Sequence, residues 1–148
     1  MKKKLYFAAL LAFAMSSLLT SCGTDWYGPQ PPVNFYDSRL TGYWQLVQIN
    51  GYSVSGYNTN YMYFNGYGNG TYYYYQNNRR YYESLQYWCQ ENRYSSSAYQ
   101  VNILYQSSYD ASTMDYWFTN GTNALYLRWY DRNGTTTYLY TRYPGAPW

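Results

Sequence analysis

The groups in this 148-residue chain that could do chemistry are seven carboxylates, seven arginines, two cysteines and 26 tyrosines; histidine is absent. Without histidine no Ser–His or Cys–His pair can activate a nucleophile. Metal sites lack both histidine and a cysteine cluster. The three lysines are Lys2, Lys3 and Lys4, so a domain built further along has no amine for Schiff-base chemistry. Paired carboxylates are the remaining catalytic option. Glu83 and Glu91 would stand about 26 Å apart on one strand, at roughly 3.3 Å per residue, and about 12 Å apart on a helix. Glycosidase pairs need about 5–9.5 Å. Asp110 and Asp131 could meet only through folding. Asp110 and Asp115 could assist a calcium ion, but aspartates in such loops ordinarily serve turns. No Gly-rich phosphate loop precedes a helix. The expectation is a protein that is not an enzyme and uses no cofactor and no metal.

Charge separates the N-terminus from the rest. Met1 to Lys4 is basic, Leu5 to Leu19 is mostly apolar, and Leu19-Thr20-Ser21-Cys22 closes the run. A charged start, a short apolar stretch and small residues before a cut describe a secretory signal, and the stretch is short for a membrane span. Its ending resembles the lipobox of bacterial lipoproteins. That resemblance implies a signal peptide over 1–21, lipid on the Cys22 sulfur and acylation of the new amino terminus. It also implies attachment to the outer membrane, because Gly23 rather than Asp follows the cysteine. Several acyl chains anchor stably where one is marginal. Cleavage there would leave 127 residues in which seven arginines balance seven acids. The scattered arginines then suggest no groove for nucleic acid. With Cys22 lipidated, Cys89 stands alone and reads as a small buried residue.

Between Arg39 and Tyr143 there are twelve Leu, Ile and Val residues but 23 tyrosines. Such a chain folds on aromatic rings, which favour strands and can cover apolar surface while their hydroxyls reach a partner. Residues 22–38, with Pro29, Pro31 and Pro32, read as a tether, although Phe35 and Tyr36 could dock on the domain. From residue 39 onward, strands are predicted at 42–50, 60–66, 70–76, 85–93, 98–105, 114–119, 123–131 and 135–142. Five Asn-Gly pairs (50–51, 65–66, 69–70, 120–121, 133–134) supply turn signals. A helix over 79–93 is the alternative to a strand there. Eight short strands with short connections predict an all-β, antiparallel meander barrel over 39–143, with a tail at 144–148; a β-sandwich or open half-barrel is the alternative.

Leu40-Thr41-Gly42-Tyr43-Trp44-Gln45-Leu46 resembles the Gly-x-Trp opening of lipocalins, and the layout of 40–142 is similar to short lipocalin-like lipoproteins of Gram-negative gut anaerobes. The resemblance implies that Trp44 plugs the closed end of the barrel beneath a late arginine, Arg142, with Arg128 as the alternative. Met114-Asp115-Tyr116 stands where that family has Thr-Asp-Tyr.

Three function classes follow. One is a lipid-anchored binding protein for a small amphipathic molecule, a glycan or a protein surface. Another is a structural envelope lipoprotein without a ligand. The third is a carboxylate-based hydrolase. The expectation is a mostly filled barrel that binds through outward tyrosines. A three-residue final turn (Arg132-Asn133-Gly134) would place Leu127 opposite Leu139 inside. Tyr126, Arg128, Tyr130, Tyr138 and Tyr140 would then form the outer contact surface. A regular strand would turn Arg142 outward as well, away from Trp44.

Overall fold

The computed structural model describes residues 34–54, 59–91 and 99–148. The expected signal peptide, Cys22 and the expected tether up to residue 33 lie outside the described residues. The strands are β1 (Gly42–Ile49), β2 (Tyr52–Ser53), β3 (Tyr61–Phe64), β4 (Asn69–Gln76), β5 (Arg79–Glu91), β6 (Tyr99–Tyr105), β7 (Ser112–Thr119), β8 (Ala124–Asp131) and β9 (Gly134–Tyr143). Each neighbour in the order β1-β3-β4-β5-β6-β7-β8-β9 is antiparallel, and β9 pairs back onto β1. The result is a closed eight-stranded meander barrel, with β2 as a short extra strand on the end of β1. Closure gives every ring strand a neighbour on each side, so no ring strand is an edge along its whole length.

Period-two alternation sorts the side chains. Leu125 and Leu127 are buried inside, whereas Tyr126 and Arg128 face out. The core is Leu40, Trp44, Leu46, Met62, Phe64, Leu85, Tyr87, Cys89, Val101, Ile103, Met114, Tyr116, Leu125, Leu127 and Tyr140. A bulge in β1 skips Val47 opposite β9, so that Leu46 pairs with Tyr140 and Ile49 with Tyr138. An extra residue of this kind changes the facing parity. Leu46 and Ile49 can therefore both line the interior.

Turns follow backbone chemistry rather than the Asn-Gly count. Asn50-Gly51 and Asn120-Gly121 adopt positive φ. Asn69-Gly70, expected as a turn, lies inside β4 instead. A Cβ at Gly70 would come within 2.1 Å of the Tyr63 carbonyl oxygen, so this glycine serves a close approach of β3. The β4–β5 hairpin turns at Asn77-Asn78, both at positive φ. β5 is a continuous strand of 13 residues, so the helical spacing at 79–93 does not prevail. The reason is pairing: its first half bonds β4 and its second half β6.

The segment ahead of β1 belongs to the barrel. Beyond the last β4 partner, β5 has an open edge, and Phe35 fills it through reciprocal hydrogen bonds with Cys89 of 3.0 and 2.8 Å. Tyr36 packs edge-on against Tyr87. A 3-10 turn, Ser38–Leu40, then leads into β1.

Candidate functional site

The closed end is built around Trp44. Its ring is fully buried and its Nε1 donates to the Leu40 carbonyl at 2.6 Å. Arg142 is the cross-strand partner of Trp44, and its guanidinium lies 4.0 Å from the ring centroid. The same guanidinium donates to the carbonyls of Arg39, at 2.6 Å, and Thr41. Burial lowers its pKa. The glycine of Gly-Tyr-Trp has a specific job: Gly42 sits at φ +117, and a Cβ there would lie 2.8 Å from Arg142 Nη1. The motif thus keeps the space the guanidinium occupies.

Beside the plug, Asp37 is buried under a fork from Arg39 (2.6–3.1 Å) and accepts the Tyr116 hydroxyl at 2.8 Å. Burial pushes the Asp37 carboxyl up, but the hydrogen bonds from Arg39 and Tyr116 outweigh it and hold the carboxyl below its usual value. Burial pushes the Cys89 thiol up, which suits a packed residue rather than a nucleophile. Arg39 in turn lies 4.8 Å over Phe118.

The final hairpin overturns the expected register. β8 and β9 pair Asp131 with Gly134, Leu127 with Tyr138 and Leu125 with Tyr140. The turn is Arg132-Asn133, and Asp131 Oδ1 accepts the Asn133 N–H at 2.7 Å. Tyr138 and Tyr140, expected outside, therefore point into the barrel, and Leu139 faces out opposite Tyr126, half-buried. One-residue slips invert a whole strand. Burying one leucine is worth about 1.5–3 kcal/mol. The observed parity instead buries two tyrosine rings and brings Arg142 onto Trp44, which together outweigh it.

These tyrosines help line a cavity of about 310 Å³ in the open half of the barrel. Its apolar lining is Leu46, Ile49, Met62 and Met114; its aromatic lining is Tyr72, Tyr105, Tyr138, Tyr140 and Trp129; Asn60 and Ser112 add polar groups. Asn60 Nδ2 donates to the Tyr72 hydroxyl at 2.7 Å, and Tyr72 meets Tyr105 edge-on at 5.4 Å. Burial pushes the Tyr72 phenol up to about 12, and also raises the Tyr105 and Tyr140 phenols. Trp129, 41 % exposed, stands at the rim. Of the tryptophans in the barrel only Trp44 fills the interior; Trp88 and Trp117 alternate outward. The closed half is packed, and the open half is not.

The other expected contact residues do face outward. Trp117 and Tyr126 stack at 5.0 Å with planes 3° apart, and Arg128 lies 4.7 Å over Trp117. The Tyr130 hydroxyl donates to Asp115, which also accepts from Gln100. On another part of the outer face Trp148 packs edge-on against Tyr61, Tyr73 and Tyr75, with Arg80 at 5.4 Å. The tail after β9 thus covers part of the tyrosine surface. Among the described residues no group of three carboxylates or cysteines is placed to hold a metal.

No protein-family model matches this chain, and neither a curated protein nor a solved structure does. The geometry alone therefore carries the functional argument. It offers a closed barrel whose open half can enclose a small molecule. Tyr105 and Asn60 carry no local signal of this site, because the side chains they meet come from other strands. One signal for Tyr138 and Tyr140 was available: they share parity with Arg142, so placing Arg142 on Trp44 obliges both to turn inward.

Proposed function

We propose that this protein is a lipid-anchored binding protein of the cell envelope whose barrel takes a small amphipathic molecule into its open half. The observation that carries the reading is the cavity of about 310 Å³, lined by apolar side chains and tyrosines together. Cavities of this size, mostly apolar with a few converging polar groups, are the usual form of small-molecule sites. The Trp44–Arg142 stack supports the lipocalin-like reading, since that family seals one end of its barrel and leaves the other open. The role is binding rather than catalysis. The anchor rests on Leu19-Thr20-Ser21-Cys22, and the outer membrane on Gly23.

The binding test uses N-phenyl-1-naphthylamine, a neutral fluorophore that brightens in apolar sites. Met114 lines the cavity, so Met114→Trp should weaken the probe at least about tenfold, by filling space it needs. Tyr126→Ser and Tyr130→Ser, on the outer face, should leave it bound. The reverse pattern would move the site to the surface. For the anchor, Cys22→Ala should leave an uncleaved precursor that takes up no labelled fatty acid; continued labelling would sink the lipid assignment.

A further inference from the structure

Two carboxylates act on the cavity's tyrosines. Glu83 pairs with Tyr72 across β4 and β5 and shares the inner face of β5 with Leu85, Tyr87 and Cys89. Its Oε2 is fixed by the hydroxyl (2.7 Å) and backbone N–H (3.3 Å) of Ser107. Asp131 continues the inner face of β8 beyond Leu127 and Trp129. The charges that act on the cavity phenols are these carboxylates: Glu83 on Tyr72 and Tyr105, and Asp131 on Tyr138. Among the described residues lining the cavity none is lysine or arginine. Of the described arginines, Arg39 and Arg142 serve the closed end and Arg80 and Arg128 lie over outer tryptophans, while Arg79 and Arg132 are exposed in the β4–β5 and β8–β9 hairpins and do not line the cavity.

Aromatic faces present negative quadrupoles, and several of them around one space attract organic cations, whose charge is diffuse enough to leave water. Here the rings of Tyr140, Tyr72 and Trp129 stand beside their cross-strand partners Leu46, Met62 and Met114, so aromatic and apolar side chains share the lining of one cavity. We infer that the cavity selects a cationic amphiphile, an alkylated ammonium group held among Tyr72, Tyr105, Tyr138 and Trp129 with Glu83 beside it, and an apolar chain directed inward. This inference rests on the cavity reading above and adds the sign of the ligand's charge. An anionic amphiphile such as a fatty acid would set its carboxylate near Glu83 and Asp131 with no lysine or arginine among the lining residues to receive it.

The test compares one skeleton with three head groups: 5-phenylpentyltrimethylammonium, 5-phenylpentanol and 5-phenylpentanoate. Affinities are read by calorimetry and by displacement of the neutral fluorophore. The ammonium compound should bind about tenfold or more tightly than the carboxylate, with the alcohol between them. Added salt should weaken the ammonium compound and leave the alcohol unchanged. Glu83→Gln should cost the ammonium compound about three- to tenfold while the alcohol keeps its affinity, which also reports that the variant is folded. If Glu83→Gln loses the alcohol too, Asp131→Asn and the salt dependence of the unaltered protein decide in its place. Equal affinities, or a preference for the carboxylate, would overturn the cation assignment and leave the cavity reading standing. Failure of all three compounds and of the fluorophore would overturn the cavity reading itself.

Discussion

Replacing Arg142 tests the closed end most directly. Its guanidinium sits 4.0 Å from the Trp44 ring centroid and donates to two backbone carbonyls, those of Arg39 and Thr41. A cation over tryptophan at a partly desolvated site is worth about 1–2 kcal/mol. Each hydrogen bond adds about 0.5–1 kcal/mol, taken low because solvent reaches this end. Arg142→Met should therefore cost about 2–4 kcal/mol, a large share of a typical stability of about 5–15 kcal/mol. Arg142→Lys keeps the charge but not the planar fork, and should cost about 1–2 kcal/mol. The assay is equilibrium urea unfolding followed by tryptophan fluorescence. With a slope of about 2 kcal/mol per molar, the Met variant should lose about 1–2 M in midpoint. A cycle with Trp44→Phe should show a coupling of at least about 0.5 kcal/mol. A midpoint loss under about 0.3 M for Arg142→Met, or strict additivity in the cycle, would show that the guanidinium does not hold the plug.

Gly70→Ala should destabilise by about 1–3 kcal/mol, because its Cβ would meet the Tyr63 carbonyl oxygen at 2.1 Å and Leu85 Cδ1 at 2.9 Å. Gly51→Ala meets nothing within 4 Å, so its cost of about 1 kcal/mol should come from the φ of +83 alone. Urea unfolding separates the two, and a neutral Gly70→Ala would contradict the tight β3–β4 approach. In alkali, the folded pKa values of Tyr72, Tyr105, Tyr116 and Tyr140 lie above the ordinary value of 10.0, chiefly through burial. Their contribution to stability is then fully present below about pH 10 and lost as pH rises toward the folded values. Absorbance at 295 nm should show a phenolate fraction that appears only together with loss of the near-ultraviolet dichroism. Complete ionisation before that loss would mean these rings are not buried.

Much of the fold was legible because strands and turns are local. Alternation in Leu125-Tyr126-Leu127-Arg128 and positive-φ residues such as Asn50-Gly51 state their conformation within a few residues. Seven of the ring strands lie within two residues of the predicted segments at each end, β5 begins six residues before its predicted start, and among the described strands only the brief β2 was not expected. The interior was not legible, because it depends on register. The two-residue turn Arg132-Asn133 rather than the three-residue Arg132-Asn133-Gly134 decides whether Tyr138 and Tyr140 face solvent or the cavity, and both turns suit the local sequence. What selects between them lies a full strand away: Arg142 must meet Trp44, and the β1 bulge at Val47 must bring Ile49 opposite Tyr138. Asp37 with Tyr116, 79 residues apart, and Asn60 with Tyr72 likewise become partners only when the barrel closes. The sequence by itself determined a strand-built barrel held together by aromatic rings. Closure of β9 onto β1 decided which tyrosines surround the cavity, because only that pairing fixes the faces of the last strand.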